Sequence, residues 1–324
     1  MSEMQYGSVA GISKPISRIV QGIVQVPVNE EEKAFAYLDM MFEMGVNCVD
    51  TARIYGNSDA CLGKWVRTRN LQDKVVILAK GQHPNQYRNK VTPYDIGTDL
   101  HDTLGAMGLD HVDLYVLHRD DPSVPVGPIV DALNVYVKEG KIGAFGGSNW
   151  TTERLEEANN YAAQTGQIPF AVSSPNYSLA EQVDEPWGGC VTISGPKNQA
   201  ARDWYAAHNI TLFPWSSMAS GFWSGRFTRN DYVKEGYHEE IVRRCYCTPE
   251  NFDRLERATE LAAAKGLTIP QIALSFVLSN PLKMFPLVGS ANKEELQANI
   301  DALLTPLTQQ EMDWLDLKAD SPGN

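Results

Sequence analysis

The sequence predicts an α/β fold, a (β/α)8 TIM barrel with a short N-terminal hairpin and long loops at its carboxyl-end face. Short apolar segments typical of buried strands alternate eight times with amphipathic helical segments along the 324 residues. This length is normal for one such barrel. A doubly wound sheet would place Gly-x-Gly-x-x-Gly after its first strand, and residues 21–24 lack it. Because no linker interrupts the pattern, we expect residues 1–324 to form a single domain.

The predicted strands are short apolar stretches that end at polar or glycine residues. A small hairpin is expected within residues 5–17, where it could close one end of the barrel. The barrel strands follow in chain order and are predicted at residues 17–20, 46–49, 75–79, 113–117, 142–145, 169–172, 211–213 and 285–288.

The predicted helices begin at capping residues and end at glycine. The first has apolar residues at helical spacing and ends before Gly45. Thr92 followed by Pro93 is typical of a helix start, since threonine caps the first turn and proline fits its first position. Two stretches, residues 178–195 and 219–248, are long and irregular, and we expect them to roof the mouth of the barrel.

Composition limits the partners of this chain. The 28 basic and 40 acidic residues give a net charge of −12, and such a surface repels nucleic acid and anionic membranes. The five cysteines are an odd number without the spacing of a disulfide framework, which indicates a reducing cytoplasm. No apolar run of about 18 residues predicts a membrane span, and the first residues lack the pattern of a secretion signal.

Polar side chains stand at the ends of three successive predicted strands. Asp50, Lys80 and His118 end the second, third and fourth strands, and Tyr55 follows Asp50 in the next loop. Because active sites of such barrels lie where the strands end, the four side chains are expected to meet at one mouth. Lys80 would lower the pKa of Tyr55, Asp50 would orient Lys80, and a neutral His118 could hydrogen-bond a substrate oxygen.

This set of four favours proton donation to a developing alkoxide. It contains no nucleophile-base pair, and its spacing predicts no metal site. Alone, each side chain is more often structural, as an ion pair, a hydrogen bond or a packing contact. Their coincidence at successive strand ends is what points to catalysis.

The sequence resembles the aldo-keto reductase superfamily over nearly its whole length. The resemblance implies an oxidoreductase that transfers hydride between a nicotinamide cofactor and an aldehyde or ketone, or the corresponding alcohol. It implies that Tyr55 is the general acid, that Lys80 and Asp50 tune it, and that His118 positions the carbonyl. The matching motifs are Asp50-Thr51-Ala52 with Tyr55-Gly56, Lys80-Gly81, Leu117-His118, Gly147-Ser148-Asn149, Trp215-Ser216, Gly289 and Asn299.

The resemblance also implies binding of NAD(P)(H) without a dinucleotide-binding fingerprint. Ser148 and Asn149 match the pair that holds the nicotinamide carboxamide, although they could instead cap the next helix. Trp215 matches the aromatic residue that stacks on the nicotinamide, although it could be barrel packing. The other residues that match cofactor contacts are Gly22, Ile23, Ser216, Met218, Ala219, Arg226, Gly289, Ala291, Glu295 and Asn299.

The chain departs from the family pattern in two places. Ser174 stands where the family usually has glutamine, and Ala291 and Glu295 replace residues that usually grip the adenosine phosphate. Glu295 would repel a 2′-phosphate and could accept hydrogen bonds from a ribose diol, which favours NAD. Arg226 and Lys293 could compensate, so NAD and NADP both remain open.

The predicted roofing loops hold candidate substrate contacts. Arg119, Trp187 and Trp223 are the principal candidates, with Asp120 and Tyr232 beside them. Tryptophan next to charged groups suits a hydroxylated, sugar-like or polyol substrate, although long loops also bury their own aromatic residues.

The sequence is compatible with three function classes. The first is the oxidoreductase, with a small carbonyl or alcohol as partner. The second is a cofactor-binding regulatory or scaffold barrel with little turnover. A barrel lyase or isomerase is a weaker third, because no metal or phosphate site is evident. The physiological substrate, the direction of the reaction and the oligomeric state are left open.

Overall fold

The computed structural model describes residues 4–230 and 236–323, and its strands form the predicted (β/α)8 barrel. A separate antiparallel hairpin pairs β1 (Tyr6–Gly7) with β2 (Ile16–Ser17). The eight barrel strands are parallel and follow chain order around the sheet. They are β3 (Val20–Gly22), β4 (Cys48–Ala52), β5 (Val76–Gly81), β6 (Val112–Leu117), β7 (Ile142–Ser148), β8 (Val172–Ser174), β9 (Thr211–Leu212) and β10 (Leu287–Val288).

Helices follow the barrel strands and form the outer layer. The first eight helices are α1 (Glu31–Glu43), α2 (Ser58–Arg69), α3 (Pro93–Met107), α4 (Val126–Lys138), α5 (Thr152–Thr165), α6 (Gln199–His208), α7 (Tyr237–Tyr246) and α8 (Pro249–Lys265). The last three are α9 (Ile269–Leu278), α10 (Lys293–Asp301) and α11 (Gln309–Leu315). Thr92 caps α3 as predicted, since its side chain accepts a hydrogen bond from the Asp95 amide.

The barrel closes between its last two strands. The Leu212 amide donates to the Lys283 carbonyl at 2.8 Å, and the Phe285 amide donates to Leu212 at 2.8 Å. Inside the barrel, Phe213 and Phe285 stack on each other with ring centroids 5.2 Å apart. Val9 and Ile16, from the hairpin segment, join this interior cluster. The hairpin therefore plugs the amino end of the barrel, as predicted, and leaves the carboxyl end as the open mouth.

Several predicted boundaries are shifted, and two shifts bear on the site. The first barrel strand lies at Val20–Gly22 rather than residues 17–20, because Ser17 pairs with Tyr6 in the hairpin. β5 and β7 continue through Lys80 and Ser148, because the ladder to the neighbouring strands does not stop at the last apolar residue. Both side chains are therefore held on strands rather than on loops.

Part of the predicted irregular stretch 219–248 is helical. Helix α7 buries Ile241, Val242 and Cys245 and packs against the segment Ala219–Ser224. Its exposed face is rich in charges, which masked this short apolar stripe in the sequence. The expectation of an irregular loop is wrong for this segment. No single helix in the described ranges is long and apolar enough to cross a membrane, although α8 and α9 meet the test as a pair bent by 99°.

Helices α2 and α3 approach closely at Gly63. A Cβ atom on Gly63 would lie 2.2 Å from the carbonyl oxygen of Met107. We expect Gly63→Ala to lower the free energy of unfolding by at least about 2 kcal/mol, because the backbone of α3 must move. Gly105→Ala in α3 is the matched control: its Cβ would meet nothing within 4 Å, and it should raise stability by up to about 1 kcal/mol. Urea denaturation of both variants tests this, and equal stabilities would contradict it.

Candidate active site

The structure brings the four predicted catalytic side chains together at the carboxyl end of neighbouring strands. Lys80 on β5 donates a hydrogen bond to the carboxylate of Asp50 on β4, and both side chains are about 95% buried. The Lys80 Nζ lies 5.5 Å from the ring centroid of Tyr55. The Tyr55 ring meets that of His118, directly after β6, edge to face at 6.0 Å. A buried ion pair therefore lies beside a phenol and an imidazole.

Local hydrogen bonds hold Tyr55 in the loop before α2. The Tyr55 amide donates to the Ala52 carbonyl at 2.9 Å, and Ser58 Oγ donates to the Tyr55 carbonyl at 2.8 Å. Gly56 has a φ of 63°, a left-handed conformation that glycine adopts without steric cost. Tyr55 itself is half-buried. The phenol thus stands on a short turn anchored at both ends.

The pKa values of the site differ from the sequence expectation at Tyr55. Burial and the negative charge of Asp50 raise the pKa of Tyr55, and Arg119 opposes them. Burial also raises the pKa of Asp50, against the opposing charge of Lys80. The net direction is therefore a raised pKa of Tyr55, opposite to the prediction from the sequence, because burial and Asp50 outweigh the nearby positive charge. Tyr55 therefore carries its proton at neutral pH.

His118 is neutral, as predicted. Burial lowers the pKa of its imidazole well below the usual value, and the nearby charges of Lys80 and Arg119 lower it further. Its Nδ1 is buried and has no hydrogen-bond partner in the described part of the chain. An unpaired buried N–H costs more than an unpaired lone pair, so the proton belongs on Nε2. The imidazole can then donate a hydrogen bond from Nε2.

A second histidine, His83, lies beside the four predicted side chains, and the sequence motifs did not predict it there. Its ring lies 5.1 Å from that of His118, edge to face, and burial lowers its pKa. The preceding Gln82 has a φ of 59° and is held there by Asp99, which accepts from the Gln82 amide at 2.7 Å. In the sequence, the position of His83 three residues after Lys80, just past the end of the strand, is what could have indicated its place at the site.

Asn149 and Ser148, the pair predicted to hold the nicotinamide carboxamide, are hydrogen-bonded to other parts of the protein. Asn149 Nδ2 donates to the His118 carbonyl at 3.2 Å and to Ser148 Oγ at 3.0 Å. Its Oδ1 accepts from Trp215 Nε1 at 3.1 Å and from the Val191 amide at 3.0 Å. The carboxamide group of a bound nicotinamide would have to share or replace these hydrogen bonds of Asn149. The alternative of a helix cap is wrong, because Thr151 caps α5 through the Arg154 amide.

Trp215 lies half-buried at the mouth, next to a strained segment. Ser216, Ala219 and Ser220 have φ values of 49°, 49° and 52°. Non-glycine residues rarely adopt such values, and they tend to cluster at ligand-binding sites. The remaining predicted contacts here are Met218, which is half-buried, and Arg226, whose side chain is exposed.

The predicted adenosine end lies after β10, and Glu295 is its central residue. The Glu295 carboxylate accepts from the Ala291 amide at 2.8 Å and from Asn292 Nδ2 at 3.2 Å. Asn299 Nδ2 donates to Ser290 Oγ at 3.0 Å. Of the other predicted contacts, Gly289 is exposed, Gly22 is half-buried and Ile23 is fully buried.

The candidate substrate contacts separate into two groups. Arg119 is buried directly after His118, and Trp187 is 45% exposed with its ring centroid 6.4 Å from that of Trp215. Trp223 is only 1% exposed and packs edge to face on Phe222, so its position in the core gives no support to substrate contact. The two secondary candidates are Asp120, paired with Arg154, and Tyr232, which lies outside the described residues.

Comparison with known proteins establishes the family. A family model described as the aldo/keto reductase family matches residues 18–320. The chain belongs to this family. This aldo/keto reductase is an NAD(P)-dependent oxidoreductase that interconverts carbonyl compounds and alcohols. The resemblance read from the sequence motifs is confirmed.

Curated relatives of this aldo/keto reductase agree with that assignment. A probable aryl-alcohol dehydrogenase of Saccharomyces cerevisiae is 27% identical over 308 residues, covering 88% of this chain and 87% of the relative. An uncharacterized oxidoreductase of Bacillus subtilis is 26% identical over 336 residues, covering 99% and 97%. A putative voltage-gated potassium channel subunit beta of Schizosaccharomyces pombe is 27% identical, covering 85% and 82%. The alternative of a regulatory barrel, to which only the last of these three relatives points, is weaker than the assignment as an oxidoreductase.

Proposed function

We propose that this oxidoreductase reduces an aldehyde or ketone and that Tyr55 gives the proton to the developing alkoxide. The observation that carries this assignment is the buried Lys80–Asp50 pair against a half-buried phenol and a neutral imidazole. Tyr55 is protonated at neutral pH, the state that a proton donor to the alkoxide requires.

Each of the four residues has a distinct task in this proposal. His118 donates from Nε2 to the carbonyl oxygen and holds it near the Tyr55 hydroxyl. Tyr55 transfers its proton to that oxygen as negative charge develops. Lys80 then stabilises the phenolate left behind, and Asp50 keeps Lys80 in place while the phenol is neutral. Loss of the Tyr55 hydroxyl, as in Tyr55→Phe, should therefore remove most of the turnover.

NAD(P)H, when bound, supplies the hydride for this reduction. The residues that fit the cofactor are the aromatic Trp215 at the mouth, the adjacent strained turn with Ser216 and Ala219, and the open backbone at Gly289. Left-handed residues in a turn can direct successive amide groups at one anion, although here the Ala219 amide donates to the Ser216 carbonyl at 2.8 Å. Arg226 has an exposed guanidinium in the same segment and lies 3.9 Å from a carboxylate oxygen of Glu239, so a phosphate would compete with that carboxylate for it. Tryptophan fluorescence quenching on addition of NADPH or NADH tests the fit directly.

We propose that NAD(H) binds at least as well as NADP(H). The Glu295 carboxylate already accepts from the Ala291 amide at the start of α10, the place where an anion would otherwise bind. A 2′-phosphate would have to displace this carboxylate or lie beside it. A ribose diol would instead find an acceptor.

Glu295→Gln tests the cofactor preference. We expect the Kd for NADPH to fall about tenfold, because a repelling charge is removed, while the Kd for NADH changes less than about twofold. Glu294→Gln is the matched control, since Glu294 is exposed in the same first turn of α10. Fluorescence titration measures both constants. A wild-type enzyme that binds NADPH far more tightly than NADH would contradict the proposal.

The substrate class follows from the aromatic wall at the mouth. Trp187 and Trp215 present partly exposed rings on one side of the site, and Val24 and Ile54 are exposed on the loops after β3 and β4. Apolar and aromatic side chains suit an aryl aldehyde, and tryptophan also stacks on sugars. We favour an aryl carbonyl over the sugar or polyol suggested by the sequence. Matched kcat/KM values for benzaldehydes and aldoses decide between them.

The domain organisation, the location and the partners of this enzyme can also be proposed. We propose that residues 1–324 act as a single domain, because one apolar cluster runs from Met4 to Leu315. We also propose a cytoplasmic location, supported by five free cysteines, and small-molecule partners only. A regulatory barrel would bind cofactor without reducing any aldehyde, and a lyase would turn over substrate without oxidising NADPH.

A further inference from the structure

Arg119 is a buried guanidinium, and among residues 4–230 and 236–323 no carboxylate pairs with it. Only 6% of the residue is exposed. Its Nη1 donates to the His118 carbonyl at 2.9 Å, and its Nη2 donates to the weak acceptor Cys190 Sγ at 3.4 Å. These two bonds use two of its five N–H groups, and no ion pair joins it to an acid within the described ranges.

Of the acids near Arg119, Asp50 and Asp120 pair with other cations, and the Asp121 carboxylate accepts from the amide and hydroxyl of Ser123. Asp120 accepts from Arg154 Nε at 3.0 Å. Asp50 is bound to Lys80. A buried charge is costly unless it is paired, so an unpaired one that bonds the backbone of a candidate catalytic residue indicates a ligand that completes it.

The position of this guanidinium is next to the reacting groups. It bonds the backbone of His118, and its charge acts on the pKa values of Tyr55, His118 and His83. On its other side lies Cys190, in the loop that also carries Trp187. It therefore stands between the catalytic residues and the aromatic wall, and it brings a net positive charge to the site, since Lys80 and Asp50 cancel.

We infer that Arg119 selects substrates that carry a carboxylate near the carbonyl group, such as formyl-substituted aromatic acids. A guanidinium binds a carboxylate through two parallel N–H bonds, which adds orientation as well as affinity. The carboxylate would replace the weak contact to Cys190. This inference rests on the proposed function and narrows its substrate class from aryl carbonyls to anionic ones.

The experiment compares acids with amides of the same shape. The three carboxybenzaldehyde isomers and the three formylbenzamides are reduced by wild-type enzyme and Arg119→Gln with saturating cofactor. We expect at least one acid to exceed its amide in kcat/KM by about 10- to 100-fold. Arg119→Gln should abolish that advantage, so that the ratio of kcat/KM for acid to kcat/KM for amide falls to about one, whatever the variant does to the step shared by both substrates. Arg119→Lys should restore only part of it, because lysine lacks the planar fork.

Controls separate this inference from other roles of Arg119. Arg229→Gln, at an exposed ion pair with Asp253, removes the same net charge and should leave the acid-to-amide ratio unchanged. Equal losses for acids and amides in Arg119→Gln would mean that Arg119 acts on the shared chemistry, and would overturn the inference. A weakened Kd for NADPH or NADH with an unchanged ratio would assign Arg119 to the cofactor instead and would also overturn it.

A binding measurement covers the case in which the proposed function itself fails. If neither acids nor amides are reduced with either cofactor, the reduction proposal falls. Calorimetry with benzoate and benzamide on the cofactor-loaded protein then still tests Arg119. Binding of benzoate that is lost in Arg119→Gln supports the inference, and equal affinity for benzoate and benzamide in the wild type contradicts it.

Discussion

Replacing Tyr55 by phenylalanine is expected to lower kcat for aldehyde reduction about 10²- to 10⁴-fold, the usual contribution of a positioned general acid. The change removes one oxygen atom and leaves the ring beside His118 and Lys80. The turn that carries Tyr55 is held by its backbone, so the fold should be unaffected. Steady-state rates with a benzaldehyde and NADPH or NADH measure the effect.

Two controls make the Tyr55 result specific. The Kd of the cofactor, read from tryptophan quenching, should stay within about twofold of the wild type, because no bond to the cofactor is removed. Tyr94→Phe, at a tyrosine that is 78% exposed on α3, should keep full activity. A Tyr55→Phe enzyme that retains more than about a tenth of kcat would show that another group supplies the proton.

The strand-end residues could be predicted from the sequence because buried parallel strands are visible as apolar runs. Asp50, Lys80 and His118 each follow such a run, and the topology of the barrel then places them together. Their mutual contacts depend only on neighbouring strands. At these positions the apolar pattern of each strand and the topology of the barrel therefore predict the same location.

What the sequence could not predict depends on contacts between distant segments or on backbone conformation. His83 reaches His118 because Gln82 adopts a left-handed conformation that no pattern signals. Asn149 receives its partners from three separate loops and strands. The predicted direction of the Tyr55 pKa is wrong because the main cause of its rise is burial, with Asp50 adding to it. The degree of burial depends on packing, which the sequence does not give.

The Lys80–Asp50 pair is expected to matter for both activity and stability. Lys80→Met should lower kcat about 10²-fold or more, because the cation 5.5 Å from the Tyr55 ring no longer stabilises the phenolate. It also leaves Asp50 buried without a partner, which should cost about 3 kcal/mol in the free energy of unfolding. Steady-state rates and urea denaturation measure the two effects.

The stability loss in Lys80→Met should depend on pH in a defined direction. Burial raises the pKa of Asp50, and removal of Lys80 takes away the charge that opposed this rise. A carboxyl with a raised pKa in the folded state stabilises the fold most when it is protonated, and this contribution is lost as pH rises through that pKa. The deficit relative to wild type should therefore be smaller at pH 5 than at pH 8.

The double variant separates the two roles of the pair. Asp50→Asn with Lys80→Met removes both charges, so it should recover most of the stability that Lys80→Met loses. It should not recover kcat, because the cation beside the Tyr55 ring is still missing. Recovery of activity in the double variant would mean that Lys80 only offsets the charge of Asp50, and the proposed stabilisation of the phenolate would be wrong.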